Sequence, residues 1–144
     1  MFSRNAIKII FDELGKDDKR FLGAIDKIVN AGTNIVNSTE ELKEELTGYD
    51  DIYQTHIIDL NFDYWFQVTN GTVIYKKGIN PDASFKMNFT KELIIKILKN
   101  EISGTDAFMK GKISVEGDIS QGLRYVKLFR LFTKYLEKKN GKNE

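Results

Sequence analysis

The sequence lacks cysteine and contains one histidine and one proline among its 144 residues. The absence of cysteine excludes disulfide bonds, thiolate metal sites and a cysteine nucleophile, and a reducing, cytoplasmic location is expected. The single histidine, His56, excludes a histidine-rich metal site and is expected to be a surface or hydrogen-bonded strand residue. There is also no Walker loop, dinucleotide glycine motif or serine elbow. The sequence therefore predicts a protein that is not an enzyme and that needs no metal or cofactor.

Long apolar runs and a large charge of one sign are also missing. No segment approaches the roughly 20 apolar residues of a membrane span. Lys8 and Asp12 interrupt the first apolar residues, so we expect no signal peptide. The net charge of +1 gives no bulk attraction to nucleic acid, which is not expected as a partner. With 41% hydrophobic and 30% charged residues, the chain is typical of one globular domain over residues 1–144.

The first part of the chain is predicted to be a helical lead over residues 1–48. The apolar residues of its first helix have helical spacing. They are Ile7, Ile10, Phe11 and Leu14. Asp17 or Asp18 can cap a second helix. Ser38 and Glu41 have the spacing of a capping box, which predicts a short third helix.

The hydrophobic period changes to two after residue 51, which predicts a sheet and terminal helices over residues 51–138. The predicted strands are residues 52–60, 62–68, 72–76, 84–89 and 112–116. Asn70-Gly71 predicts a two-residue hairpin, because both residues tolerate the positive φ of a type I′ turn. Phe85, Met87 and Phe89 alternate with polar residues, which predicts one covered and one wet sheet face. The order of elements predicts an α+β fold.

Helices are predicted around the last strand. Thr90 can cap the first of them, and Gly104 suits its C-terminal end. A short helical turn over residues 105–109 and a final helix over residues 120–138 complete the chain. Gly111 and Gly117 stand at the junctions before and after the last strand, where a φ that only glycine adopts cheaply is expected.

Two segments carry a resemblance to a known family. They are Pro81-Asp82-Ala83-Ser84-Phe85-Lys86-Met87 and Ala107-Phe108-Met109-Lys110-Gly111-Lys112-Ile113, the latter followed by Gly117-Asp118. Together with the Asn70-Gly71 hairpin, their order and spacing resemble the sterol carrier protein-2 (SCP2) family over roughly residues 51–135. One departure is Gly117-Asp118-Ile119-Ser120, where animal members often have Gly-Asn-Met-Gly.

The resemblance implies a five-stranded mixed, mainly antiparallel sheet with helices covering one face and an apolar tunnel. It also implies a non-catalytic protein that binds sterols, fatty acids, acyl-CoAs or phospholipids. The apolar residues of this tunnel are expected on the sheet, the short helix and the apolar side of the final helix. They are Phe66, Phe85, Met87, Phe108, Ile119, Leu123, Val126, Phe129 and Phe132. The alternative for each of them is ordinary core packing, which an aromatic helix face or a methionine suits equally well.

The opposite side of the final helix is basic. Its cations include Arg124, Lys127, Arg130 and Lys134. We expect these residues to give transient contact with an anionic membrane surface, at about 1 kcal/mol per residue. The alternative is a solvated helix face.

The leading functional prediction is non-enzymatic binding and transfer of a lipid or fatty acyl ligand. A second hypothesis is an accessory or scaffold protein that presents isoprenoid-quinone or other lipid intermediates to partner enzymes. In that hypothesis the helical lead is the interaction surface, and an exposed stripe on Ile7, Ile10, Phe11 and Leu14 would support it. A third hypothesis is a domain without a cavity that acts through protein contacts alone.

Overall fold

The computed structural model describes the backbone of residues 4–142 and the side chains of residues 8–132. Three helices come first, α1 (Arg4–Leu14), α2 (Asp18–Ser38) and α3 (Glu40–Glu45). Four strands follow, β1 (Asp50–Ile57), β2 (Phe62–Thr69), β3 (Thr72–Lys77) and β4 (Phe85–Phe89). The remaining elements are α4 (Lys91–Leu98), α5 (Gly104–Met109), β5 (Ser114–Glu116) and α6 (Ile119–Lys142).

The five strands form one sheet in the order β3-β2-β1-β4-β5. The β1–β4 pair is parallel, with Thr55 beside Met87, and the other three pairs are antiparallel. This arrangement confirms the five-stranded, mixed and mainly antiparallel sheet. The β2–β3 hairpin turns at Asn70 and Gly71, whose φ angles of 48° and 83° are those of the predicted type I′ turn.

One face of the sheet is covered by helices, as the alternating pattern predicts. Phe85, Met87 and Phe89 of β4 are buried, whereas the intervening Lys86 and Asn88 are only half-buried. Helix α6 packs on this inner face mainly through aromatic rings. Tyr125 stacks on Tyr53 with ring centroids 4.9 Å apart, and Phe132 lies 5.6 Å from Phe66. The opposite face of the sheet carries half-buried and exposed residues, among them Trp65 and Ile74.

The capping box predicted for α3 is wrong. Ser38 is the last residue of α2, and its hydroxyl donates to the carbonyl oxygen of Asn34 at 2.8 Å. Thr39 lies between α2 and α3 and serves as the cap residue of both. The second helix therefore extends into the predicted cap, because Ser38 bonds within its own helix instead of starting a new one. The N-cap predicted at Asp17 is confirmed, since its side chain accepts from the Arg20 amide.

Two predicted element ends are also wrong. Residues 58–60 form a short 3-10 turn rather than the end of β1, and Asn61 follows in the left-handed region at φ 47°. Helix α4 ends at Leu98, before Asn100 at φ 61°. Gly104 is consequently the first residue of α5 and not the end of α4. Asparagine tolerates left-handed backbone better than most residues, which explains why both elements stop early.

The glycines at the two ends of β5 adopt the backbone predicted for them. Gly111 has φ +73° and Gly117 has φ +126°. A Cβ on Gly117 would also lie 2.8 Å from the carbonyl oxygen of Ser84, which is too close for an atomic contact. The turn from β5 into α6 therefore requires glycine for both conformation and space.

Candidate functional site

A pocket of about 100 Å³ opens between the covered face of the sheet and helix α6. Strand β4, the end of α4, the α4–α5 loop and the first residues of α5 form its other walls. Its lining is mostly apolar. The apolar lining residues are Met87, Phe89, Ile97, Ile102, Ile113, Tyr125, Val126 and Phe129. The more polar lining residues are Asn100, Ser103, Gly104, Thr105 and Arg130.

The periodicities of the sequence explain how these side chains meet. Met87 and Phe89 are two residues apart on β4 and therefore share its inner face. Tyr125, Val126 and Phe129 lie within one turn of α6 and share the side that faces the sheet and α5. A Cβ on Gly104 would lie 3.5 Å from Val126 Cγ1, so the start of α5 is in close contact with the middle of α6. The pocket lies beside this contact.

The hydroxyl of Tyr125 is hydrogen-bonded on the sheet side of the pocket. Its partner is the Thr55 hydroxyl on β1, next to Met87 on β4. Both Tyr125 and Thr55 are buried, and burial raises the pKa of Tyr125 well above its ordinary value. The phenol therefore stays neutral, and its polar group has a partner in the protein. The ring of Tyr125 is thus available as an apolar wall.

Three predicted ligand-binding residues line the pocket, namely Met87, Val126 and Phe129. The prediction missed five apolar or aromatic lining residues, which are Phe89, Ile97, Ile102, Ile113 and Tyr125. The alternation of β4 could have indicated Phe89. Tyr125 lies on the apolar side of the last helix, but helical spacing alone does not separate a pocket wall from the core.

Four other predicted residues belong to the core of the protein. Phe66, Phe85 and Phe132 are almost completely buried. Phe108 packs against α6, because a Cβ on Gly122 would lie 2.6 Å from its Cζ atom. Their role in ligand binding stays a prediction.

The last two predicted residues lie on the first turns of α6. Ile119 is 63% exposed and Leu123 is 42% exposed. Neither lines the pocket described above. The register of α6 explains their exposure, since the intervening Gly122 is the residue that faces Phe108.

The basic residues of α6 differ from one another in their surroundings. Arg124 donates to both carboxylate oxygens of Asp51, at 2.6 and 3.1 Å. Lys127 forms an ion pair with Glu45 at 3.2 Å. Arg130 is exposed and lines the pocket. The side chain of Lys134 lies outside the described residues. Two of the four cations predicted to meet a membrane are thus already paired with carboxylates.

Asp51 is the centre of a buried polar cluster at the start of β1. Its carboxylate also accepts from Tyr53 at 2.7 Å and from Gln121 at 3.3 Å. Burial raises the pKa of Asp51, but the hydrogen bonds from Arg124, Tyr53 and Gln121 outweigh it and hold the pKa below its ordinary value. The charged carboxylate therefore joins the first turns of α6 to β1.

The acidic and imidazole groups of the described side chains do not gather into a metal site. Within residues 8–132, no three side chains of the histidine, aspartate or glutamate type are placed to share a metal ion. His56 forms a hydrogen bond with Asp63 at 2.8 Å across the β1–β2 pair, as expected for a satisfied strand histidine. Among the described helices, none has the length and apolar character that a bilayer crossing needs.

Comparisons with solved structures show the fold. Apo sterol carrier protein 2 from Yarrowia lipolytica is 14% identical, with a TM-score of 0.60 over 82% of this chain and 96% of that one. A UbiJ-SCP2 ubiquinone synthesis protein is 15% identical, with a TM-score of 0.51 over 78% of this chain and 98% of that one. The stereoselective inverting sec-alkylsulfatase Pisa1 from Pseudomonas sp. is 22% identical, with a TM-score of 0.51 over 60% of this chain. The matched part is 14% of the sulfatase, so this chain corresponds to a small portion of that enzyme.

The sequence comparisons give the family. No curated protein sequence matches the chain. The model of the SCP-2 sterol transfer family matches residues 33–130, which is more than half of the chain and includes every strand, helices α3 to α5 and the pocket. This chain belongs to the SCP-2 sterol transfer family.

Proposed function

We propose that this protein is a non-enzymatic carrier that binds the apolar part of a lipid in the pocket beneath α6. The observation that carries the proposal is the apolar lining of that pocket, where Met87, Val126 and Phe129 from two different elements meet. Membership of the SCP-2 sterol transfer family supports it. A cytoplasmic location stays a prediction.

The size of the pocket limits how the ligand enters. A cavity of about 100 Å³ is smaller than the roughly 150 Å³ cavity that holds benzene, and ligand pockets commonly have about 300–1,000 Å³. We therefore propose that the pocket widens on binding. Of its walls, the strand β4 is held on both sides by β1 and β5. The α4–α5 loop, residues 99–103, has no strand ladder to hold it and is the wall proposed to move.

The driving force would be the removal of apolar ligand surface from water. Burying roughly 200 Å² of acyl chain contributes about 5 kcal/mol at about 25 cal/mol per Å², before the cost of association. This contribution needs no catalytic group. It also discriminates poorly between lipids of similar apolar surface.

The experiment is organic extraction of gently purified protein followed by mass spectrometry of the extract. We expect a fatty acid, phospholipid or sterol-like species in near-stoichiometric amount. A fluorescent acyl probe gives the matching measurement on delipidated protein. An empty extract together with no probe binding would contradict the carrier function.

A second candidate function is presentation of a lipid intermediate to a partner enzyme. It is favoured by the similar fold of the ubiquinone synthesis protein described above. The apolar stripe of α1 does not favour it, because Ile10 and Leu14 are buried and Phe11 is partly buried. The side chain of Ile7 lies outside the described residues. An isoprenoid quinone in the extract would favour presentation over general lipid transfer.

A further inference from the structure

We propose that the protein forms a two-fold symmetric dimer through the outer face of its sheet, with a second copy of this chain as the partner. The surface is centred on strand β2 and includes the neighbouring parts of β1 and β3. It lies on the side of the sheet away from α6 and the pocket. The inference therefore goes beyond the proposed carrier function and does not rest on it.

Four residues of the outer face form a surface that we call the outer patch, namely Ile52, Trp65, Gln67 and Ile74. Gln67 of β2 lies between Ile52 and Ile74 in the strand register, and Trp65 is the next outer residue of β2. Ile52 and Trp65 are half-buried, and Ile74 is 43% exposed. Tryptophan is enriched where proteins associate, so an accessible tryptophan between two isoleucines is typical of an interface.

The loop between β3 and β4 borders the outer patch and is fixed against the sheet. The side-chain amide of Gln54 donates to the carbonyl oxygen of Gly78 at 3.0 Å and accepts from the Asn80 amide at 2.8 Å. Ile79, between these two loop residues, is 70% exposed and extends the apolar surface. Because the hydrogen bonds hold the loop in place, the surface loses little conformational entropy when a partner binds.

Two charges of opposite sign stand at opposite corners of the outer patch. Asp50 on β1 and Lys76 on β3 are exposed, and neither has an ion-pair partner among the described side chains. Asp50 lies beside Thr69, two residues after Gln67 on β2. Lys76 lies beside Trp65, two residues before Gln67. The free acid and the free base are therefore placed symmetrically about Gln67, on the two strands that flank it.

This arrangement makes the outer patch complementary to itself. A two-fold axis that lies between two such faces and passes over Gln67 brings Asp50 of one copy to Lys76 of the partner subunit, and the reciprocal pair forms at the same time. With strands about 4.8 Å apart and residues about 3.4 Å apart along a strand, this axis crosses the strands of the two sheets at roughly 70°. Such an angle is close to the orthogonal class of sheet packing. It also places Ile52 over the partner subunit's Trp65.

The balance of charge on the outer face favours a second copy over a partner of one charge sign. Lys86 already pairs with Glu116 at 3.9 Å, and His56 bonds Asp63 at 2.8 Å, so the free charges are the two at the corners. An acidic or basic partner would meet a like charge at one corner, which costs affinity. A second copy satisfies both corners.

The test is the oligomeric state of the full chain, measured by sedimentation between about 1 and about 300 µM. We expect the 16.6 kDa monomer at the low end and a dimer at the high end, since an interface of this size belongs to the small, transient class. Unfolding measured at about 1 µM therefore reports on the monomer. Trp65 is the single tryptophan, so its emission should shift to shorter wavelength over the same range as the dimer buries it. A monomeric mass at every concentration would overturn the inference.

Exchange of the two corner charges identifies the surface. Asp50→Lys and Lys76→Asp should each weaken dimerisation by at least about tenfold, because like charges then face each other at both corners. The double variant restores both pairs with reversed sign and should dimerise within about threefold of wild type. A double variant that dimerises no better than either single variant would overturn the proposed pairing.

The matched control compares the same substitution at two exposed isoleucines. Ile74→Lys places a charge in the outer patch and should abolish the dimer and the shift in Trp65 emission. Ile9→Lys changes an isoleucine of α1 that is 60% exposed and lies outside the patch, so it should leave both unchanged. A dimer that survives Ile74→Lys would lie on another face and would overturn the inference.

Discussion

Helix α6 meets the rest of the protein in two different ways along its length. Around Gly122 the contact is closed, because the rings of Phe108 and Phe85 fill the space that a side chain would take. One turn later, around Val126 and Phe129, the contact is open and leaves the pocket. The same helix therefore supplies a packed core at one level and a binding surface at the next.

The difference comes from the partners of α6 rather than from its own polarity. At the closed level, Phe108 of α5 and Phe85 of β4 both lie against the helix. At the open level, α6 faces the first residues of α5 and the α4–α5 loop, whose Gly104, Ser103 and Asn100 line the pocket. These residues fill less volume than two aromatic rings, so a gap remains.

Truncating a phenylalanine at each level should give the largest difference in the free energy of unfolding between the two levels. Phe85 is 1% exposed, and Phe85→Ala should lower the free energy of unfolding by about 3–5 kcal/mol because it leaves a cavity. Phe129 is only partly buried at the pocket, and Phe129→Ala should cost about 1–2 kcal/mol. Urea denaturation measures both values. Equal losses would show that the pocket is packed as tightly as the core.

Adding a methyl group should destabilise the protein at the closed level and should be neutral or stabilising at the open level. Gly122→Ala places a Cβ 2.6 Å from Phe108 and 2.9 Å from Phe85, so it should destabilise the protein by about 1–3 kcal/mol. Gly104→Ala places a Cβ 3.5 Å from Val126, an ordinary contact, and should be neutral or stabilising by about 0.5–1 kcal/mol. Thermal unfolding of the two variants gives the comparison. A destabilising Gly104→Ala would contradict an open level.

The stability that the closed level gives to the protein should also depend on pH, because Asp51 lies there. Its pKa is held below the ordinary value in the folded protein, so the unfolded chain binds the proton more tightly. The stabilisation is therefore complete above the unfolded pKa of about 4 and is lost as the pH falls through the folded pKa. Asp51→Asn should lower the unfolding free energy at pH 7 by about 1–2 kcal/mol.

The measurement for Asp51 is urea denaturation at several pH values between 7 and 2. The difference between wild-type protein and Asp51→Asn should shrink toward the acidic end. Asp50→Asn is the matched control, since Asp50 is the exposed neighbour of Asp51 on β1. A constant difference across the pH range would argue against a charged Asp51 as the link between β1 and α6.

The smallest expected effect concerns membranes. Because Asp51 and Glu45 already pair with Arg124 and Lys127, the basic side of α6 should bind anionic vesicles only weakly and lose that binding as salt is raised. Co-sedimentation with and without anionic lipid at low and high salt measures it. Binding that ignores both lipid charge and salt would contradict docking through these residues.

The sequence predicted much of the architecture because its signals there are local. The Asn70-Gly71 turn, the alternation of Phe85, Met87 and Phe89, and the glycines at 111 and 117 each act over a few residues, and the structure agrees with each. The errors at Ser38 and Gly104 arose because each residue type can stand either at the start or at the end of a helix, and the structure places each at the opposite end from the prediction. Hydrogen bonds of Ser38 within α2, and the left-handed backbone of Asn100 after α4, decided between them.

The candidate site was predicted less completely, for a different physical reason. Helical spacing places Phe129, Phe132 and Tyr125 on one arc of α6, but a core residue and a pocket residue need the same apolar character. Ile119 and Leu123 were expected in the tunnel from the family resemblance, and the structure exposes both. Whether such a residue lies in the core or in the pocket depends on how much space the facing element leaves beside it. That element belongs to another part of the chain.

The sequence by itself therefore determined the fold class and the apolar character of the final helix, since turn chemistry and periodicity are written in short stretches of chain. The family followed from the resemblance of two segments and from the match to the family model. Only the tertiary structure decided which level of α6 is closed and which is open. It also decided that Asp51 binds Arg124. Close packing and ion pairing depend on distances between residues far apart in sequence, and those distances exist only in the folded chain.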